Sequence, residues 1–232
     1  MKIALLGAES SGKTQLAMEL ASRLTSLGQS VVVIPEVLRE WCEHEGRTPS
    51  PVDQYPIARE QARRVITAET SDFIITDTAP LVTAVYSEWL FSDHSIYDFA
   101  FQHHAIYDVT LLMGLDLPWV ADTHLRDGPH SQEPVDALIR TALELIAVPY
   151  STVYGRGSDR CHNALAILMA LRSGLPTNSP IQTPATPSTA TGWAWHCDQC
   201  DDAVCEHRLF QNLLGTRLIE VKDCLASDDL GQ

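Results

Sequence analysis

Residues Gly7-Ala8-Glu9-Ser10-Ser11-Gly12-Lys13-Thr14 spell G-x-x-x-x-G-K-[ST], with the apolar run Ile3-Ala4-Leu5-Leu6 just before it and leucines at 16, 20, 24 and 27 after it. An apolar run without period reads as a strand buried on both faces, and the leucine spacing as an amphipathic helix. In a strand–loop–helix of this order the glycines let the backbone curl until successive N–H groups converge on phosphate oxygens, with the positive end of the helix behind them. Gly7, Ala8, Glu9, Ser10, Ser11, Gly12, Lys13 and Thr14 are therefore the candidate phosphate loop. Lys13 is placed to bridge the β- and γ-phosphates of ATP, and the Thr14 hydroxyl to ligate Mg²⁺.

The rest of the chain continues the alternation. Val31–Ile34 reads as a second strand stopped by Pro35, after Gly28 has closed the first helix in a left-handed cap. Polar, helix-forming sequence runs from Glu36 to about Thr70 and is broken at Thr48-Pro49-Ser50-Pro51. Asp72–Thr76, Asp108–Met113 and Tyr150–Tyr154 read as further strands, with helices over Pro134–Ile146 and Asp159–Arg172. Strands alternating with helices predict an α/β fold, a three-layer sandwich around a parallel sheet. Trp41, Tyr86 and Trp89 read as core residues of amphipathic helices, and His103-His104 as a solvated helix face.

Residues 1–172 thus form one predicted domain. Residues 173–192 are rich in Pro, Ser and Thr and read as a linker, and 193–232 as a short Cys/His-rich extension. A formal charge of −14 repels phosphate backbones and anionic lipid, which argues against nucleic-acid and membrane partners. No apolar run approaches the roughly 18 residues of a membrane span, and six cysteines in 232 residues do not read as a disulfide scaffold, so a cytoplasmic protein is expected. The absence of an N/T-K-x-D element speaks against a guanine-specific switch. A kinase of a small hydroxyl compound leads. The alternative is a regulatory ATP-binding protein whose hydrolysis drives a partner held by the C-terminal segment.

Ligands of an open parallel sheet sit beyond the carboxyl ends of its strands. Two acids fall there, Glu36 and Asp77. Of such a pair, one accepts the proton of the attacking hydroxyl and the other holds the Mg²⁺ shell; the expected division is Glu36 as base and Asp77 at the metal. Each also suits a plainer role, an acid at a helix N-terminus facing the dipole.

Taken together, GAESSGKT, PEVLREW (35–41), DQYPIAREQ (53–61), IITDT (74–78) and PWVADTHLRDG (118–128) resemble, in order and spacing, the ribosylnicotinamide kinase domain of NadR-type proteins, over about residues 1–172. The resemblance implies transfer of the γ-phosphate of ATP to the 5′-hydroxyl of nicotinamide riboside, a small-molecule nucleoside. By that resemblance Glu36 and Arg39 lie near the substrate, Tyr55 and Gln61 belong to a helix whose aromatic stacks on the nicotinamide ring, and Trp119, Asp122 and Arg126 belong to a lid. There Arg126 would neutralise charge on the transferring phosphoryl group. The lid spacing departs from the family pattern, so Arg156 and Arg160 stand as alternatives to Arg126. The DNA-binding and adenylyltransferase domains of longer NadR proteins find no counterpart in these residues, so repression and dinucleotide synthesis are not expected.

Cys197, Cys200, Cys205 and His207 supply four thiolate or imidazole donors within eleven residues. The C-x-x-C knuckle suits tetrahedral Zn²⁺, and four protein ligands would leave no open position, as in a structural site. The resemblance does not extend to this segment.

Overall fold

The computed structural model describes residues 1–120 and 128–173. Five strands, β1 (Lys2–Leu6), β2 (Val31–Ile34), β3 (Phe73–Asp77), β4 (Val109–Met113) and β5 (Ser151–Val153), pair in the order β2-β3-β1-β4-β5, every neighbouring pair parallel. Among the described residues seven α-helices connect and cover them: α1 (Lys13–Ser26), α2 (Val37–Glu45), α3 (Pro51–Ile66), α4 (Pro80–Phe91), α5 (Tyr97–His104), α6 (Gln132–Leu145) and α7 (Ser158–Ser173). Apart from Ser173, which ends α7, the expected linker and the Cys/His extension, with Cys197, Cys200, Cys205 and His207, lie outside the described residues, as do Asp122 and Arg126.

Strand alternation divides the core into two layers. Ile3 and Leu5 of β1 meet Leu16, Leu20 and Leu24 of α1 and Ala164, Ile167 and Leu168 of α7 on one face. Ala4 and Leu6 meet Leu81 and Val85 of α4 and Ile139 and Leu143 of α6 on the other. With both faces covered, β1 has no polar side to expose, the physical meaning of its period-free sequence. Leu20 is fully buried, and its truncation to Ala in such a layer costs about 2–5 kcal/mol. Among the described residues no helix is long and apolar enough to cross a membrane.

Several elements depart from the sequence reading. β3 is shifted by one residue, because Asp72 spends its carboxylate on the Ser30 amide and hydroxyl, both at 2.8 Å, outside the ladder. Asp77 is consequently the last residue of the strand rather than the first beyond it. Helix α4 is not amphipathic: it touches α3, α5 and α6 and buries most of its surface. The largest correction concerns His103 and His104. Both are buried, at 6% and 2% exposure, because α5 lies under α4 and turns directly into β4. His104 Nε2 meets the Thr110 hydroxyl at 3.0 Å, and the His103 ring stacks on Phe99.

Candidate active site

The loop between β1 and α1 owes its path to backbone angles that side chains disfavour. Gly7 (φ 151°) and Gly12 (φ 82°) both lie at positive φ, and Ser10 joins them at 58°. A Cβ on Gly12 would stand 2.9 Å from Leu117 Cδ1 and 3.1 Å from Arg160 Nη1; on Gly7 it would stand 2.8 Å from Ser11 Oγ. Gly12 caps α1 without a side chain, leaving the first-turn amides of the helix to face a ligand. The buried Lys13 ammonium donates to the carbonyls of Gly7 and Ala8, each at 2.9 Å, which holds it across the mouth of the loop.

Polar side chains hold this loop from behind and from the side. Arg160, 4% exposed at the start of α7, donates to the carbonyls of Ser11, Gly114 and Gly155 and pairs with Asp116 at 2.5 Å. Its hydrogen bonds go to protein carbonyls and one carboxylate, so it acts on the shape of the loop from beneath. Arg156 is exposed, with Nη2 at 3.4 Å from the Asp116 carbonyl. The side chains of Glu9 and Ser10 are occupied too. Glu9 accepts from the Gly128 amide and the Ser131 hydroxyl, at 3.0 and 2.7 Å, and Ser10 Oγ accepts from the Val120 amide at 2.8 Å. The Glu9 amide donates to the Tyr86 hydroxyl at 2.9 Å. Tyr86 therefore touches the phosphate loop, a contact its helical spacing did not suggest.

Register brings the two acids to the loop. Leu5 pairs with Asp77 and Ile34 with Thr76, so β1 delivers the loop, β3 delivers Asp77 and β2 delivers Glu36 to the same sheet edge. Asp77 is 3% exposed and its Oδ1 is buried with no hydrogen-bond partner. Burial pushes its carboxyl above the ordinary range and the Glu36 charge pushes it further; a Thr14 hydrogen bond and the Lys13 and Arg39 charges oppose this. An orphaned carboxylate oxygen beside the Thr14 hydroxyl is a hard-oxygen donor set of the kind that takes Mg²⁺. The loop with its two glycines and Lys13 fits a nucleoside triphosphate. Glu36 accepts from the Thr78 hydroxyl at 3.2 Å and lies 3.7 Å from Arg39 Nε.

The remaining expected substrate residues are dispersed in their surroundings. Tyr55 is 46% exposed and meets Phe99 edge-on at 5.4 Å between ring centres. Trp119 is half-buried, and its indole N–H is buried without a partner. Gln61 is buried, and its amide binds backbone on both sides of Glu36, a use that the spacing of the Tyr55–Gln61 helix did not suggest. Thr78, Arg160 and Ser131 were not singled out by sequence for these contacts. Only for Thr78 was there a signal, its place directly after the strand-end acid.

A parallel α/β sheet whose first strand runs through a glycine loop into a helix, with acids at the ends of the next two strands along the sheet, defines a P-loop nucleotide-binding fold. Residues 2–160 match the AAA domain family, and the chain belongs to that family. No curated protein sequence matches it. Among solved structures the fold is similar to a NadR protein in complex with NR, at 18% identity and a TM-score of 0.62 over 77% of this chain and 53% of that one. It is similar as well to a NadR protein in complex with NAD and AMP-PNP, at 18% identity and a TM-score of 0.57 over 75% and 50% of the two chains. A deoxyadenosine kinase from M. mycoides gives 14% identity and a TM-score of 0.52, over 75% of this chain and 100% of that one. The chain spans about half the length of the NadR structures it matches.

Proposed function

We propose that the protein is an ATP-dependent nucleoside kinase that transfers the γ-phosphate to the 5′-hydroxyl of nicotinamide riboside, forming nicotinamide mononucleotide. The observation that carries this reading is the pair of carboxylates: Asp77 beside Lys13 and Thr14, and Glu36 near enough for its charge to raise the Asp77 carboxyl. One acid of such a pair suits the metal, and the second, next to it, suits an attacking nucleophile that must lose a proton, here a substrate hydroxyl. The NadR and deoxyadenosine kinase likenesses favour a nucleoside as that substrate.

In this reading Lys13 and the first amides of α1 hold the triphosphate, and Thr14 and Asp77 hold Mg²⁺. The metal supplies charge neutralisation on the phosphate oxygens. Glu36 takes the proton of the 5′-hydroxyl as its oxygen forms the new P–O bond and the bond to the leaving ADP oxygen breaks. Arg39, Tyr55 and Trp119 are proposed to line the acceptor side, with Asp122 and Arg126 in the roles the family resemblance implies.

The test is a panel of ribosides with Mg·ATP, followed by ADP and phosphorylated product. Nicotinamide riboside is expected to yield one ADP per product, and Glu36→Gln to lower kcat by roughly 10²-fold or more while ATP binding survives. ATP hydrolysis that no riboside stimulates would instead favour the regulatory ATP-binding reading.

A further inference from the structure

Two segments far from Glu36 in sequence converge on it. Gln61 of α3 accepts from the Val37 amide through Oε1 at 2.8 Å and donates through Nε2 to the Pro35 carbonyl at 3.3 Å. Pro35 and Val37 flank Glu36, so one side-chain amide spans the turn that carries the carboxylate. Val37 is the first residue of α2, whose amide is one of the donors a helix start leaves without an internal partner. Glu36 occupies the cap position yet makes no side-chain cap bond. Gln61 satisfies this first amide, and the Glu36 carboxylate, free of any cap bond, is directed to Thr78 and Arg39.

From the neighbouring strand comes Thr78, whose hydroxyl donates to Glu36 Oε1 at 3.2 Å. Its backbone has φ 73°, a region that β-branched residues rarely occupy. Such a conformation persists only where its surroundings impose it, and it clusters at functional sites. Here it turns the chain immediately after Asp77, with the Thr78 hydroxyl on Glu36.

We propose that Gln61 and Thr78 are positioning residues for Glu36: Gln61 fixes the backbone on both sides of the acid, and Thr78 fixes Oε1, so that Oε2, which lies 3.7 Å from Arg39 Nε, is the oxygen turned to the acceptor hydroxyl. The inference rests on the reading of Glu36 as proton acceptor. It also gives Gln61 a role through Glu36 in place of direct contact with the substrate.

The experiment measures kcat and acceptor KM with Mg·ATP and nicotinamide riboside for Gln61→Met, Thr78→Val and Thr78→Ser, each in the wild-type and Glu36→Gln backgrounds. Misplacement of a reacting group by about 1 Å costs roughly 10²-fold, so Gln61→Met and Thr78→Val should lower kcat by about 10- to 100-fold with little change in KM. Thr78→Ser, which keeps the hydroxyl, should restore most of kcat. In the Glu36→Gln background the same changes should add almost nothing, as for residues that act as a unit. A raised KM at unchanged kcat, or a full penalty in the Glu36→Gln background, overturns the proposal.

If no riboside is phosphorylated by the wild-type protein, the reading of function fails separately. The backbone clamp is then read by hydrogen exchange at the Val37 amide. Faster exchange there in Gln61→Met, with the rest of α2 unchanged, supports the clamp; unchanged exchange refutes it. Should Gln61→Met not fold, the Thr78→Val and Thr78→Ser pair decides the matter alone.

Discussion

Arg160 and Asp116 meet at 2.5 Å directly beneath the phosphate loop, and the same guanidinium donates to the carbonyl of Ser11 within it. Asp116 in turn accepts from the Gly155 amide at 2.7 Å, so one ion pair joins the phosphate loop, the end of β4 and the turn into α7. Removing Asp116 leaves a buried guanidinium without its counter-charge. Because Asp116 is 31% exposed, Asp116→Ala is expected to cost about 2 kcal/mol, less than the ~3–5 of a fully buried pair. Arg160→Met should fold better than Asp116→Ala yet bind ATP more weakly, because the Ser11 carbonyl loses its anchor. Urea midpoints and ATP titrations of both variants check this, and equal ATP affinity in Arg160→Met and wild type would contradict it.

Gly12 combines positive φ with a wall on both sides. Gly12→Ala places a methyl 2.9 Å from Leu117 and 3.1 Å from Arg160, at φ 82°. The backbone alone should cost about 1–2 kcal/mol. Relief of the clash must move either the loop or the Arg160 anchor, so ATP affinity should fall at least about 10-fold, equivalent to roughly 1.4 kcal/mol. Calorimetric titration with ATP and a thermal melt separate the two effects.

Asp77 ties activity and stability to pH in opposite directions. Its carboxyl is raised above the ordinary 3.8, first by burial and then by the Glu36 charge. The fold therefore favours the protonated acid: that contribution is complete below the unfolded value and is lost as pH rises through the raised one. The Mg²⁺ role needs the carboxylate, so the Mg²⁺ concentration for half-maximal activity should climb as pH falls toward the raised value. Asp77→Asn should need much more Mg²⁺ at every pH, lose that pH dependence and melt no lower than wild type at pH 8. A lower melting temperature at pH 8 would show that the carboxylate is a net stabiliser of the fold.

His104 governs acid stability. Burial, reinforced by the charge of His103, pushes its pKa from 6.5 down to about 4. The neutral ring is the form the fold favours, so its contribution is whole above pH 6.5 and is lost as pH falls from there toward 4. At 1.36 kcal/mol per unit the loss is about 3 kcal/mol. His103, lowered for the same reason, adds to the same limb, whereas Glu60, held near 2 by Arg63 and Arg64, titrates below it. His104→Asn should flatten the drop in unfolding free energy between pH 7 and pH 4.5, measured by urea denaturation. A drop as steep as that of wild type would place the acid limb on other groups.

The phosphate loop, the five strands and the helices that follow Thr14, Glu36 and Ser158 were legible in the sequence, because each depends on neighbours a few residues away. Glycines at fixed spacing set the curl of the loop, and apolar runs or leucine periods set the strand or the helix. The candidate acids were legible for the same reason, as residues at or next to the ends of apolar runs. Strand order was not. Placing β3 between β1 and β2 brings Asp77 beside Thr14 and Thr78 against Glu36, and that choice is made by side-chain layers that meet across the whole chain. The burial of His103 and His104 likewise follows from α5 being covered by α4, which no local pattern specifies. Long polar side chains show the limit most clearly: Gln61 and Arg160 have several donors or acceptors, and only tertiary structure decides whether these turn to a ligand or to the backbone that shapes its site.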